Sequence, residues 1–166
     1  MRWLCDEMLG GLARLLRAAG HDALLAVPGT PDLNLRQSAE RDGRILLTRD
    51  RRLAAAPIAM LVEGDTADQQ ARSLTRSAAV DWATAPFSRC LVDNATLRPA
   101  VGDEIAAMPE RARALGGPFN ACPACGRIYW PGSHVRRLQE KLAELAREAR
   151  AGCLEPAPAP GEDRPR

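Results

Sequence analysis

Aromatic side chains are scarce in this sequence, at 4% of 166 residues, so a buried core must consist mainly of Ala, Leu and Val. Long apolar runs are also missing: no stretch approaches the roughly eighteen residues that a membrane-spanning helix needs. The N-terminal stretch MRWLCDEMLGG carries Asp6 and lacks the apolar segment of a secretion signal. These absences predict a cytoplasmic globular protein with no membrane partner.

Charge of one sign is not in excess either. The chain has 23 Lys and Arg and 21 Asp and Glu, and a net charge of +2 does not by itself establish nucleic-acid binding. A glycine-rich phosphate loop is also lacking, because DEMLGG after the first apolar run is neither GxGxxG nor a P-loop. This argues against a nucleotide-binding or phosphatase domain built on such a loop.

Strand and helix patterns alternate over the first eighty residues. Short apolar runs at 3–5, 22–27, 44–48 and 58–62 predict strands, and periodic segments at 8–20, 31–43 and 65–79 predict helices. Regular alternation of this kind indicates an α/β fold with a parallel sheet and helices on both faces. We predict a first domain over residues 1–84.

The pattern changes near Pro86. Residues 85–135 are rich in Gly and Pro and contain three cysteines, a final helix is predicted over 136–153 with its cap at Ser133, and the proline-rich, charged tail 154–166 is predicted to be disordered. The cysteine-containing segment is therefore a candidate for a small second unit. In a cytoplasmic protein, an odd count of five cysteines with CPAC at 122–125 favours metal or redox chemistry over disulfides.

Acidic residues follow the predicted strands where each strand ends. Asp6 comes after the first strand, Asp50 after the third, Glu63 and Asp65 after the fourth, and Asp32 opens the helix before the third strand. Carboxylates gathered on one sheet edge repel one another unless a cation such as Mg²⁺ or Mn²⁺ neutralises them. For each acid taken alone, a helix cap is the better interpretation. Asp65 or Thr66 opens the helix after the fourth strand, and among the acids Asp65 best fits a plain cap.

Three motifs identify a family resemblance. DEMLGGLARLLRAAGHD, DLNLRQSAERDGRILLTRD and CPACGRIYWPGSH together resemble the PIN-like RNase family named for the C-terminal domain of the Mut-seven nuclease, over roughly residues 1–137. The resemblance implies a three-layer PIN-type nuclease fold followed by a zinc ribbon. It also implies that Asp6, Asp32 and Asp50 are the metal-binding, catalytic carboxylates, which hold Mg²⁺ or Mn²⁺. A fourth acid, usual in PIN nucleases, has only Asp22, Asp65 and Asp68 as candidates, so one-metal and two-metal catalysis both stay open.

Arginines surround the third acid in GRILLTRDRR at 43–52. We expect Arg49 and Arg51, with Arg52 beside them, to bind phosphate oxygens, since positive charge at a helix start is otherwise slightly unfavourable. Thr48 is positioned to orient Asp50 through its hydroxyl. An exposed, merely solvated turn is the alternative.

Other basic and aromatic residues have two interpretations each. Arg14 and Arg17, on the first helix, either extend the basic rim for substrate or form the solvated face of that helix. Tyr129, Trp130 and His134 either stack on RNA bases or pack the cysteine-containing segment onto the core.

The cysteine spacing predicts a metal site. Cys122 and Cys125 form a CxxC half-site that suits tetrahedral zinc. Cys90 and Asp93 offer the second half, where the resembling family carries cysteine instead of Asp93, so zinc binding is expected to weaken. His134 or water as the fourth ligand, and a ribbon without metal, are the alternatives.

Together these patterns predict a metal-dependent ribonuclease that hydrolyses RNA phosphodiesters by means of water activated at the carboxylate-bound metal. The alternative is an RNA-binding module that keeps the nuclease fold without cleaving. RNA is the expected partner in both cases.

Overall fold

Four parallel strands form the main sheet of the computed structural model, which describes residues 1–152. The strands are β1 (Arg2–Cys5), β2 (Asp22–Leu25), β3 (Ile45–Thr48) and β4 (Ala59–Leu61), in the order β2-β1-β3-β4. Three helices connect or follow them: α1 (Gly10–Ala18), α2 (Asp32–Arg41) and α3 (Ala67–Ser77). The predicted α/β fold with a parallel sheet is confirmed, and it is consistent with a PIN-like fold. Cys153 and the predicted disordered tail lie outside the described residues.

Alternation of side chains along the strands produces two buried layers. Trp3, Cys5 and Leu47 point into a large apolar cluster shared with α1 and α3. Leu4 and Leu46 point to the opposite face, where they pack against α2. Because successive strand residues face opposite sides, the apolar residues of the central pair, β1 and β3, are shared between the two layers. The helices therefore cover both faces of the sheet, as predicted.

The ends of the helices follow from local chemistry. Gly20, at φ 98°, ends the turn after α1 and lies so close to Ala85 that an added Cβ would be 2.4 Å from the Ala85 carbonyl oxygen. Thr66 caps α3: its hydroxyl accepts the Gln69 N–H at 3.2 Å, and the Gln69 side chain accepts the backbone N–H groups of Thr66 and Asp65. Of the two predicted helix starts, Thr66 is confirmed as the cap, and the interpretation of Asp65 as a plain cap is wrong, because the Thr66–Gln69 capping box fills that role.

A second, three-stranded antiparallel sheet follows. It consists of β5 (Arg98–Pro99), β6 (Asn120–Ala121) and β7 (Ile128–Tyr129), and the short helices α4 (Gly102–Ala106) and α5 (Glu110–Arg113) lie between β5 and β6. We call residues 87–132 the ribbon segment.

The last helix, α6 (Ser133–Gly152), returns to the main domain. Leu142 and Leu145 are buried in the same cluster as α1 and α3. Arg72 on α3 also forms ion pairs with Glu144 and Glu148 of α6. The C-terminal helix thus packs into the same apolar core as α1 and α3. None of the helices within residues 1–152 is long and apolar enough to cross a membrane.

Buried polar contacts hold the ribbon segment against the sheet. Arg17, only 6% exposed, donates to the carbonyl oxygens of Ala23 (2.7 Å), Leu91 (3.1 Å) and Val92 (2.6 Å). Both interpretations of Arg17 from the sequence, basic rim and solvated helix face, are therefore wrong. An arginine this deep is tolerated because backbone oxygens of two separate segments accept its hydrogen bonds.

Candidate active site and metal site

The predicted aspartates lie at one edge of the main sheet. Asp6 directly follows β1, Asp50 comes two residues after β3, and Asp32 is the first residue of α2, which is reached from the end of β2. Because the strands are parallel, their carboxyl ends meet on the same edge, which we call the acidic edge. The topology thus brings together residues that are as many as 44 positions apart in the chain (50 − 6).

Thr48 links two of these acids. Its hydroxyl donates to Asp6 Oδ2 at 2.7 Å and accepts the backbone N–H of Asp50 at 3.0 Å. The Thr48 side chain is fully buried, whereas Asp6 is half-buried and Asp50 is exposed. The other oxygen of Asp6, Oδ1, accepts the N–H of Glu7 at 2.7 Å. Asp6 is therefore held in a single orientation at the end of β1.

Asp50 and Asp32 are more exposed. Asp50 Oδ1 accepts the N–H groups of Arg52 (2.6 Å) and Leu53 (3.3 Å) and so closes the turn after β3. Asp32 lies in the first turn of α2, as predicted, with Pro31 as the N-cap. The carboxylate oxygens of Asp6, Asp32 and Asp50 are not all within 4.8 Å of one another. Within residues 1–152, the group of possible metal ligands that lies this close together contains Cys90, Asp93, Cys122 and Cys125, and it is described below. Side-chain rotation is needed before the three could share one ion.

Glu7 is a residue of the acidic edge that the sequence analysis did not single out. Its carboxylate accepts the N–H of Gly29 at 2.5 Å and so fastens the loop that leads from β2 to Asp32. The pair of adjacent acids at positions 6 and 7 was the available signal. Glu7 thereby ties the Asp32 loop to the strand end that carries Asp6.

The arginines beside Asp50 divide into two kinds. Arg49 forms an ion pair with Asp65, with 2.5 Å between Nη2 and Oδ1. Arg51 and Arg52 are exposed, and no ion pair of theirs occurs within the described part of the chain. Arg51 and Arg52 are thus available to an incoming anion, whereas Arg49 would first have to leave Asp65.

All three candidates for a fourth acid form ion pairs: Asp65 pairs with Arg49, as described above, and Asp22 and Asp68 pair with other basic residues. Asp22 begins β2, at the edge opposite to the acidic edge, and its carboxylate binds the nearly buried Arg44 (2.8 and 3.1 Å) and Asn94 (2.7 Å). Burial raises the pKa of Asp22, but these hydrogen bonds outweigh burial and hold its pKa well below the ordinary value. Asp68 pairs with Arg72 and Lys141. Asp22 and Asp68 support the fold.

The four residues predicted to bind zinc do come together. Ligand atoms of Cys90, Asp93, Cys122 and Cys125 all lie within 4.8 Å of one another. The Cys90 and Cys125 sulfurs are 3.9 Å apart, and Asp93 Oδ2 lies 3.5 Å from the Cys90 sulfur and 3.4 Å from the Cys122 sulfur. A tetrahedral ion with Zn–S of about 2.3 Å and Zn–O of about 2.0 Å requires about 3.8 Å and 3.5 Å for these separations. The donor set and its spacing fit zinc.

The two halves of this site are built alike. In the first half, the Asn94 N–H donates to the Cys90 carbonyl at 3.1 Å; in the second, the Gly126 N–H donates to the Cys122 carbonyl at 2.9 Å. Asn94 (φ 64°) and Gly126 (φ 70°) both adopt the left-handed conformation that closes such a turn. Asp93 therefore occupies in the first turn the position that Cys125 occupies in the second.

Hydrogen bonds tune the acid groups of the site. Burial raises the pKa of Cys90, but hydrogen bonds from the Tyr129 hydroxyl and the backbone N–H groups of Asp93 and Val92 bring the net pKa below the ordinary value. A hydrogen bond to Asp93 raises the pKa of Cys125 to about 12. The same bond lowers the pKa of Asp93. The turn thus favours a thiolate at Cys90, which is the form that a metal binds.

The aromatic residues after β6 have separate roles. The Tyr129 hydroxyl lies 3.2 Å from the Cys90 sulfur and accepts the Leu91 N–H at 3.0 Å, so Tyr129 packs the ribbon segment. Trp130 is half-buried and His134 is exposed, and both line a cavity that Arg14 also lines. The predicted rim residue Arg14 therefore lies beside this cavity.

Comparison with known proteins covers the main sheet and the ribbon segment together. The chain matches the family model of the Mut7-C RNAse domain over residues 1–142. A curated relative, the exonuclease mut-7 homolog of Homo sapiens, is 26% identical, and the alignment covers 96% of this chain and 27% of the relative. The chain thus spans well under half of that relative's length. No solved structure matches it.

Proposed function

Because this chain belongs to the Mut7-C RNase domain family, we propose that it is a ribonuclease that depends on a divalent metal ion. The observation that carries the proposal is the Thr48 hydroxyl, which joins Asp6 and the Asp50 backbone at the carboxyl ends of two parallel strands. This hydrogen bond fixes the Asp6 carboxylate beside the turn that carries Asp50, so the two acids are held at the same edge of the sheet.

Asp6, Asp32 and Asp50 would hold Mg²⁺ or Mn²⁺. When bound, the ion would neutralise the carboxylates, polarise the scissile phosphodiester and lower the pKa of an attacking water. Exposed Arg51 and Arg52 would bind phosphate oxygens and offset charge that develops during cleavage. Thr48 and Glu7 are positioning residues, since they act through Asp6 and the loop before Asp32.

The ribbon segment would hold zinc through Cys90, Asp93, Cys122 and Cys125. The close agreement of the sulfur and oxygen separations with tetrahedral coordination supports this assignment. Zinc would then stabilise two turns that flank Arg17 and Tyr129, and thus the attachment of the ribbon segment to the nuclease core.

Cleavage of RNA with and without Mn²⁺ tests the proposed activity. We expect Asp6→Asn and Asp50→Asn each to lower the single-turnover rate by about 100-fold or more, the order expected when a direct electrostatic partner of the transition state is removed. Asp103→Asn, a matched change at an exposed acid on α4, should leave the rate unchanged. Zinc content, measured on each variant, should not vary. Equal rates in wild type and Asp6→Asn would refute the assignment.

A second candidate function is RNA binding without cleavage. It is favoured by the separation of the three aspartate side chains, whose oxygens do not all lie within 4.8 Å of one another. This candidate predicts RNA affinity that is retained in both Asp→Asn variants and no cleavage at any Mn²⁺ concentration. The same experiment therefore decides between the two.

A further inference from the structure

A cavity of about 780 Å³ lies between the ribbon segment, α5, α1 and α6. Its size is in the range of pockets that bind small organic groups. Leu91, Ile128 and Leu138 contribute apolar side chains, and Trp130 contributes an aromatic one. The walls come from α1, α6 and several parts of the ribbon segment, including α5, so the tertiary structure alone creates the cavity.

The charge of the lining has one sign. Arg14, Arg111 and Arg127 line the cavity together with His134, and no Asp or Glu within residues 1–152 does so. Within that range no carboxylate lies in ion-pair distance of Arg14 or Arg111. Arginines left without an acid beside an apolar pocket are suited to an anionic ligand that has an apolar part.

Trp130 is the accessible tryptophan of this chain. Trp3 and Trp82 are fully buried, whereas Trp130 is half-buried and lines the cavity. Gly132 lies against its indole ring, because a Cβ at position 132 would be 2.9 Å from the indole nitrogen. The missing side chain at Gly132 thus lets the ring settle against the backbone.

We propose that this cavity binds one unstacked nucleotide of single-stranded RNA, with the base against Trp130 and the neighbouring phosphates on Arg14 and Arg111. The inference rests on the proposed function in that it takes RNA as the ligand. A nucleotide matches the apolar walls, the arginines and the accessible tryptophan, since it joins a flat aromatic base to phosphates. The cavity would then anchor RNA by its bases while the acidic edge acts on its backbone.

Helix α1 connects the two sites. It begins four residues after Asp6 and carries Arg14 in its middle, so the path from Asp6 to Arg14 is eight residues, on the order of 12 to 16 Å at about 1.5 to 2 Å per residue. A single strand of a few nucleotides can span that separation. An RNA chain held in the cavity would therefore reach the acidic edge without unfolding of either region.

Tryptophan fluorescence and RNA affinity test the inference in the full chain. In an Asp6→Asn background, which prevents cleavage, a short single-stranded RNA should quench the fluorescence, and Trp130→Phe should abolish the quenching. Trp130→Ala should raise the Kd by about 5- to 150-fold, the range for removal of one base–aromatic stack. Trp130→Phe should retain most of the affinity, which also controls for misfolding of the alanine variant. An RNA duplex of the same sequence should bind independently of Trp130.

The arginines have their own readout. The combined change Arg14→Gln and Arg111→Gln should reduce the slope of log K against log salt concentration by about 1.4, because each phosphate that the protein no longer neutralises lowers the slope by about 0.7. Arg76→Gln, at an exposed arginine in the last turn of α3, serves as the matched control and should leave the slope unchanged.

Several outcomes would refute the proposal that the cavity binds a nucleotide. They are an unchanged Kd in Trp130→Ala, absence of quenching, equal affinity for an abasic oligonucleotide, and no binding of RNA at all. If the wild type cleaves RNA and substitution of Trp130 changes neither cleavage nor affinity, the pocket is refuted and the nuclease proposal stands. If RNA binding depends on Trp130 but no cleavage occurs, the pocket stands and the nuclease proposal is refuted.

Discussion

Asp22→Asn provides a decisive test of which acids support the fold and which support chemistry. The Asp22 carboxylate accepts hydrogen bonds from both terminal nitrogens of Arg44 and from the side-chain amide of Asn94. The Arg44 side chain is only 6% exposed. The substitution leaves a buried guanidinium without its counter-charge. It also weakens the attachment of the ribbon segment to β2.

The magnitude follows from the burial of the pair. Removal of one partner of a buried ion pair costs about 3–5 kcal/mol, and we expect the lower end, about 3 kcal/mol, because the Asp22 side chain keeps 20% of its exposure. For a chain of this size that corresponds to a fall in Tm of about 10 °C. Asp42→Asn, which removes an acid from the solvent-exposed pair with Arg41, is the matched control and should leave Tm nearly unchanged.

The pH dependence has a definite sign. The folded-state pKa of Asp22 is depressed, so its stabilisation is fully present above the unfolded pKa of about 3.9 and is lost as pH falls below that value. The gap in Tm between wild type and Asp22→Asn should therefore be constant from neutral pH down to about pH 5 and should shrink below about pH 4. Thermal unfolding followed by circular dichroism at several pH values measures this.

Cleavage distinguishes structure from chemistry. At a temperature where both proteins are folded, Asp22→Asn should cleave RNA at the wild-type rate, because Asp22 lies at the edge opposite to Asp6. A variant with unchanged Tm and abolished cleavage would refute the reasoning and restore Asp22 as the fourth acid.

Three further predictions concern Thr48, the metal site and α6. Thr48→Val should raise the Mn²⁺ concentration for half-maximal cleavage by about 10- to 100-fold, because Asp6 and Asp50 lose their shared hydroxyl. Thr48→Ser keeps a hydroxyl and should show the Mn²⁺ dependence of the wild type. Equal Mn²⁺ dependence in the two variants would contradict a positioning role. Asp93→Cys should raise zinc affinity in chelator competition by about tenfold or more, since thiolate is a softer ligand than carboxylate, whereas an unchanged affinity would show that residue 93 is not a ligand. Arg72→Met should lower Tm in low salt and less so in about 1 M salt, because its ion pairs to α6 are half-exposed and screened; an effect independent of salt would point to altered packing instead.

Local patterns were sufficient to identify the strands. The apolar runs around Leu4, Ala23, Leu46 and Met60 are short and separated by helical segments, and each coincides with an observed strand. The CxxC spacing of Cys122 and Cys125 likewise indicates a metal-binding turn from a few neighbouring residues. Such features are visible in sequence because the interactions that create them are between residues close in the chain.

Polar partners from distant segments were not predictable in this way. Arg17 looks like a surface residue of an amphipathic helix, yet it binds carbonyl oxygens 74 and 75 residues away. Asp65 looks like a helix cap, yet it pairs with Arg49 while Thr66 caps α3. A charged side chain has no sequence mark for its partner, because the same residue can be solvated, paired or buried with equal local propensity.

The sequence by itself determined the alternation of strands and helices, the spacing of the candidate metal ligands and the family, since periodicity and short motifs encode them. Only the tertiary structure decided that Asp22 and Asp68 are ion-paired, that Asp93 rather than His134 stands beside the three cysteines, and that a cationic cavity opens beside Trp130. These outcomes depend on which distant segments meet once apolar burial has compacted the chain. The energy of each such interaction is set by its surroundings after folding, not by its neighbours in the sequence.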